Sequence, residues 1–138
     1  MATFRLQVVS MDGLLYDGEV QRIKLRTIHG DLAILARHMN YVTAIGMGTA
    51  TVVLEDGTER KAACIGGMLT MMNDLCRVIP TTWEWGDEID LERAQEAKKR
   101  AEERLADSNL EEIARVNAEA KLYRALVRIN SAGKYDHK

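Results

Sequence analysis

The second part of this chain almost lacks glycine and proline. Residues 87–138 hold one glycine, Gly133, and no proline, while residues 1–86 hold the other nine glycines, the only proline (Pro80) and both tryptophans, Trp83 and Trp85. Other absences exclude whole classes of function. The formal net charge is only -2, so there is no basic footprint for nucleic acid. No apolar run approaches the roughly 18 residues that a membrane span needs. The start, Met1-Ala2-Thr3-Phe4-Arg5-Leu6, lacks a signal-peptide layout and already alternates like a strand. An intracellular protein is expected, with any membrane association made through a partner and no direct insertion. Cys64 and Cys76 are not spaced as a CxxC pair, and His29, His38 and His137 are scattered, so no metal site is expected. Two reduced cysteines packed in or near strands is the simpler reading; a disulfide is the alternative. There is no nucleophile beside a base, no convincing pair of carboxylates and no glycine-rich phosphate loop, so the chain is not expected to be an enzyme.

What is present divides at residue 87. With 46% hydrophobic and 29% charged residues, the composition is that of a soluble globular chain. Its 138 residues fit one domain, or a small domain with an appendage. Residues 1–86 read as strands and turns able to bury a modest β core; residues 87–138 read as two helices with too little interior to be robust alone. Such a division suggests a part that docks with one half and moves the other.

In the first half Phe4 to Val9 alternates, Met11-Asp12-Gly13 turns, and Leu14-Leu15-Tyr16 leads to a second turn at Asp17-Gly18. Val20 to Arg26 alternates at period two, as a half-buried strand does. His29-Gly30-Asp31 turns into Leu32 to Leu35. The β-branched run Thr49 to Glu55 meets Asp56-Gly57 and then Thr58 to Ile65, a strong hairpin signal because both turn positions need positive φ. A further hairpin joins Met68–Met72 to Leu75–Ile79 through Asn73-Asp74, and Pro80 is expected to stop the ladder. Short strands at close spacing predict an N-terminal antiparallel β-sandwich, or flattened barrel.

In the second half Asp90 is a plausible N-cap. Leu91, Ala94, Ala97 (or Lys98), Ala101 and Leu105 fall at spacings of three and four, a narrow stripe of small residues. Asp107-Ser108-Asn109 breaks it. Ser108 and Glu111 have capping-box spacing, which predicts a second helix from about Asn109 to Ser131 with Leu110, Ile113, Val116 (or Asn117), Ala120, Tyr123 and Val127 on its apolar face, widened by Leu122, Leu126 and Ile129. Gly133 is close to a helix-terminating position. The short connection predicts an antiparallel hairpin, and the class is α+β. Residues 90–112 carry eight acids against five bases, whereas residues 113–134 carry Arg115, Lys121, Arg124, Arg128 and Lys134 against Glu119 alone. The hairpin neutralises itself, or the second helix is a basic surface for an acidic partner once released, and both can hold. Trp83 and Trp85 either pin the helices to the sandwich or shape a partner surface.

The order of these segments resembles the epsilon subunit of the F-type ATP synthase, bacterial type, over essentially the whole chain. Val8-Val9-Ser10 stands for a "VVTP"-like start, and Gly30-Asp31-Leu32-Ala33-Ile34-Leu35 with His38 for "GELGILPGH". Ile65-Gly66-Gly67-Met68-Leu69 matches "SGGFLEV", and Ile89-Asp90-Leu91-Glu92-Arg93-Ala94 matches the "I(L)DxxRA" nucleotide motif. Ala33 replaces a usual glycine, Ala36-Arg37 a usual Pro-Gly, and Met39-Asn40-Tyr41 a usual "APL"; the turn there is expected to differ.

The resemblance implies a non-catalytic subunit at the cytoplasmic face of the cell membrane, peripheral and part of the ATP synthase complex. It implies a rotor-stalk role coupling the gamma subunit to the ring of membrane c subunits, with Asp31 and His38 near that ring. Its hairpin would extend to the catalytic beta and alpha subunits and inhibit ATP hydrolysis through Arg115, Lys121, Arg124 and Arg128. No cofactor is required, but ATP is implied as a regulatory ligand at Glu84, Ile89, Asp90, Arg93, Ala94, Arg100 and Arg128, with Arg124 the rival of Arg128. The alternatives are a purely structural coupling subunit with a static hairpin and no ATP sensing, and, for Asp90 and Arg93, a plain N-cap and an ordinary ion-pair partner.

Overall fold

The computed structural model describes residues 2–133; Lys134 and His137 lie outside them. Seven strands come first: β1 (Phe4–Ser10), β2 (Gly13–Thr27), β3 (Gly30–Leu35), β4 (Tyr41–Ala44), β5 (Met47–Leu54), β6 (Glu59–Met72) and β7 (Leu75–Trp85). They follow the order β1-β7-β6-β5-β2-β3, β1 also pairs with β2, and β4 pairs with β6. The β1–β2 pairing closes a flattened barrel. Its pairs are antiparallel except β1 with β7, which is parallel.

Alternation places the core. Phe4, Leu6 and Val8 point inward from β1, with Val20, Ile23 and Leu25 from β2, Ile34 from β3, Val52 from β5, and Leu69 and Met71 from β6. On β2 the inward phase changes between Val20 and Ile23, where the register to β5 shifts; the extra residue of such a bulge restores the core face.

Three expected breaks are absent. Asp17-Gly18 does not turn: β2 runs through it, paired to Gln7 and Leu6. Arg5 donates to both carboxylate oxygens of Asp17 at 2.8 Å across the ladder, and the Tyr16 ring folds over Gly18. Met68–Met72 is not a separate strand, because β6 continues through Gly66 and Gly67. These two glycines, at φ 69° and 117°, separate the stretch of β6 that pairs with β5 from the stretch that pairs with β4, while β7 pairs with both. A Cβ on Gly67 would lie 2.2 Å from the Ile79 oxygen, so only glycine fits. Pro80 does not stop the ladder; it faces Gly67, and β7 continues to Trp85. The turn after β3 contains Arg37 at φ 63°, the conformation that glycine adopts without steric cost. Asp74 steadies it by accepting from the Arg37 amide at 2.7 Å.

After a 3-10 turn at Gly86–Glu88 come α1 (Leu91–Leu105) and α2 (Glu112–Ser131). Asp90 caps α1 by accepting from the Arg93 amide at 3.1 Å. The capping box does not form: α2 starts at Glu112, and Glu111 caps it without a side-chain bond. Asp107 organises the connection instead, accepting from the Asn109 amide at 2.9 Å. The buried face of α2 is the expected one only at Val127. Ala118, Ala125, Val127 and Ser131 are buried, while Ile113 and Val116 are 78% and 57% exposed, and Tyr123 and Leu126 are exposed too. On α1 the buried residues are Ala94 and Ala101, and Leu91 is exposed. Two alanine stripes meet because they allow the closest helix approach, which the larger residues would prevent.

Candidate functional site

Where β7 ends and the helices begin, a cleft of about 840 Å³ opens between α1, α2 and the 84–90 segment. Asp90 starts α1 and thereby sets the rotation of that helix. Ala94, Ala97 and Ala101 from α1 and Ala118 and Ala125 from α2 form the floor of the cleft. Because alanines bring the helices close, the long side chains beside them converge. Arg93, Arg100 and Arg104 line it from α1; Lys121, Arg124 and Arg128 line it from α2. Glu84, Glu88 and Asp90 are the acids of its lining.

The structure brings together all seven residues that the resemblance implied for nucleotide: Glu84, Ile89, Asp90, Arg93, Ala94, Arg100 and Arg128. It shows two of the acids already engaged. One Asp90 oxygen holds the helix cap, and Glu84 Oε1 accepts from Arg128 Nε at 3.0 Å. Among the described residues, Arg93, Arg100, Arg104, Lys121 and Arg124 pair with no carboxylate. The expected self-neutralisation of the hairpin therefore does not take the form of ion pairs between α1 and α2. The acids of α1, Glu92, Glu96, Glu102 and Glu103, are exposed outside the cleft, whereas cations of both helices line it.

Sequence reasoning missed Arg104 and Glu88, placed Lys121 only on an inhibitory surface, and held Arg124 as the rival of Arg128; the cleft is lined by both. The signal for Arg104 was available: Arg93, Ala97, Arg100 and Arg104 recur at spacings of four, three and four, one face of a helix. Of the four residues assigned to the basic helix, Lys121, Arg124 and Arg128 line the cleft. Arg115 does not, and donates to the Asp107 carbonyl at 3.3 Å.

Asp31 and His38 are not brought together. Asp31 is exposed at the start of β3 and faces Arg26 across the ladder. His38 follows the other end of β3, bonded through Nδ1 to the Met39 carbonyl at 2.8 Å and edge-on to Tyr41. Nor do the tryptophans hold the helices. Trp85 is in the barrel core, edge-on to Tyr16 and Trp83, with the Arg60 guanidinium 3.7 Å from its ring. Arg60 reaches on to Asp87 at 3.8 Å, so the pair steadies the 84–90 segment from beneath. Cys64 and Cys76 are free and buried, and burial pushes both thiols up to about 12. No described helix is long and apolar enough to cross a membrane.

Comparison with known proteins agrees with this architecture. The family model for the beta-sandwich domain of the ATP synthase delta/epsilon chain matches residues 3–86. That for the long alpha-helix domain of the same chain matches residues 87–133. The ATP synthase epsilon chain of Shouchella clausii is 36% identical over 132 residues, covering 96% of each chain. That of Caldicellulosiruptor bescii is 39% identical over 132 residues, 96% of this chain and 95% of the relative. A sodium ion specific ATP synthase epsilon chain from Acetobacterium woodii is 36% identical over 109 residues, 79% of this chain and 82% of the other. A chain in the mitochondrial ATP synthase structure of Euglena gracilis shares the fold at a TM-score of 0.78 and 22% identity, over 91% of this chain and 80% of that one. With both halves matched in order, the chain belongs to the ATP synthase delta/epsilon family, as an epsilon chain.

Proposed function

We propose that this chain is a non-catalytic rotor-stalk subunit of the ATP synthase, coupling the gamma subunit to the c ring, whose hairpin senses ATP and restrains ATP hydrolysis. The carrying observation is the facing of Arg93, Arg100 and Arg104 with Lys121, Arg124 and Arg128 over an alanine floor. Like charges lining one cleft repel, though less where they face water. A polyphosphate relieves the repulsion, and the planar arginine forks suit its oxygens. Glu84 and Asp90 each keep one oxygen for a sugar hydroxyl or a base amine. A ligand that binds only the closed cleft favours the folded hairpin. Without it, the unrelieved repulsion weakens the folded hairpin, and on its release Lys121, Arg124 and Arg128 become the basic surface that meets the catalytic alpha and beta subunits. One set of residues thus serves both states.

The sandwich carries the docking role. Met68 and Ile79 lie side by side on the outer face of β6 and β7, with Val42 and Met72 nearby, and all four are exposed. This apolar face suits a shaft subunit such as gamma. Asp31 and His38, at opposite ends of β3, offer two separate points for the ring. Peripheral attachment at the cytoplasmic face follows from those partners.

The test is ATP titration of the whole chain, read by amide NMR, with Arg93→Ala as control. Saturable binding that the variant loses is expected; no binding at millimolar ATP refutes the sensing role. Deleting residues 88–138 is expected to raise hydrolysis by the assembled enzyme while leaving coupling intact. Unchanged hydrolysis there favours the static coupling subunit, as does indifference to a disulfide that locks α2 to β5.

A further inference from the structure

The end of α2 meets the sandwich through contacts that the cleft does not use. Thr49, Ala63 and Glu84 are consecutive partners across β5, β6 and β7. Ala63 is fully buried although it belongs to the outer face of the sheet, and α2 packs on β5 and β6 there. Around it the bonds are directional. Ser131 Oγ donates to the Val127 carbonyl at 2.7 Å, which uses its one proton. The 2.8 Å contact between Thr49 Oγ1 and Ser131 Oγ is therefore donated by Thr49. Thr49 in turn accepts from Asn130 Nδ2 at 2.8 Å. A single chain of protons runs Asn130 to Thr49 to Ser131 to Val127. Ser131 is 1% exposed, so its oxygen has no water to replace Thr49.

Beside this chain, the Gly86 carbonyl accepts from the Gly133 amide at 3.1 Å. A Cβ on Gly86 would lie 2.2 Å from the Ser131 carbonyl. The backbone of the linker and the last turn of α2 touch directly, which only glycine permits. Gly133 itself, at φ 137°, turns the chain out of α2 to make that bond.

We propose that this clasp, Thr49 and Gly86 closing on Asn130, Ser131 and Gly133, sets how long the hairpin stays folded on the sandwich. It deepens the reading of a mobile hairpin and rests on it, but it does not depend on any ligand. The alanine seam holds α1 to α2; the clasp holds α2 to the barrel. The two are separable by position, because the cleft cations lie on the α1-facing side and the clasp on the sheet-facing side. Arg128, bonded to Glu84 one turn before the clasp, stands between them.

Hydrogen exchange of the full chain without nucleotide tests the clasp directly. Thr49→Val keeps the shape and removes both hydroxyl bonds; Gly86→Ala prevents the close approach. Both are expected to speed exchange of the α2 amides roughly five- to tenfold, the loss of about one buried hydrogen bond, with β1–β7 unchanged. Exchange of α2 equal to wild type in both variants overturns the clasp, and so does equal acceleration of the whole sandwich. Assembled enzyme carrying Thr49→Val then separates this from the regulatory reading. Faster α2 exchange with unaltered hydrolysis leaves the clasp standing and refutes regulation by the hairpin. Unaltered exchange refutes the clasp whatever hydrolysis does.

Discussion

The barrel and the hairpin bury opposite kinds of residue. The barrel encloses Phe4, Leu6, Ile23, Leu25, Ile34, Leu69 and Met71 with almost no exposure. The hairpin encloses Ala94, Ala101, Ala118 and Ala125, and leaves Ile113, Val116, Tyr123 and Leu126 outside. A fully buried aliphatic or aromatic side chain is worth about 1.5–3 kcal/mol, an alanine methyl roughly 0.8 kcal/mol. One half is thus held by its interior. The other is held by a thin seam, one partly exposed ion pair and a few polar bonds at its far end. On the proposed reading, the part that stays rigid and the part that lets go differ chiefly in how much apolar volume they enclose.

That contrast can be broken most forcefully from the barrel side. Ile23→Ala or Leu69→Ala is expected to destabilise the sandwich by about 2–5 kcal/mol in urea unfolding, through lost burial and a residual cavity. Alkylation of Cys64 and Cys76 provides a second readout. Their raised thiols stay protonated in the fold well above pH 9, where the unfolded chain ionises. Stability from this source is full below the ordinary thiol range and is lost as pH rises toward about 12. At pH 8 both should label only as fast as the barrel opens.

In the hairpin the largest expected effect is on binding rather than folding. Arg100→Ala should weaken ATP affinity by about 1.5–3 kcal/mol, roughly 10–100-fold by calorimetry, if it makes one charge-assisted phosphate bond. The thermal transition of the sandwich should not move. Ala101→Leu should overpack the seam at a cost of about 1–3 kcal/mol, visible as faster amide exchange in α1 and α2 with β1–β7 unaffected. Transmission of that strain into the barrel would show that the halves are one cooperative unit.

The smallest effect sharpens the comparison at the barrel surface. Hydrogen bonding from Arg5, then its charge, holds the Asp17 carboxyl below the usual range. A lowered carboxylate stabilises the fold above its unfolded pKa, and that contribution disappears as pH falls through the folded value. Asp17→Asn should therefore lower the barrel's stability slightly at pH 7–9, where the contribution is full, and flatten the acid limb of its stability profile.

Much of the fold was legible because local chemistry and tertiary contacts agreed. Phe4 to Val9, Val20 to Arg26 and the Asp56-Gly57 hairpin carry their own period and turn residues, and the barrel uses them as they stand. Asp17-Gly18 and Pro80 misled because turn residues are weak evidence against a ladder with partners on both sides. A cross-strand Arg5 and a facing Gly67 were enough to keep those strands going. The cleft was half legible. Ile89, Asp90, Arg93 and Ala94, close in sequence, line it together, whereas Arg104 and Lys121 joined them only through the approach of the two helices.

What the sequence determined by itself is the division at residue 87, the strand periods, the Asp90 cap and the alanine spacing of α1. Each is set by neighbours within a few residues. Only the tertiary structure decided which face of α2 is buried. Helical periodicity says which side chains share a face, but α2 has two usable faces, one of alanines and one of larger aliphatics. The choice fell to the partner. Against the small residues of α1 the alanine face permits a closer backbone approach and more contact, and that approach left Ile113 and Val116 in solvent and drew six cations into one cleft.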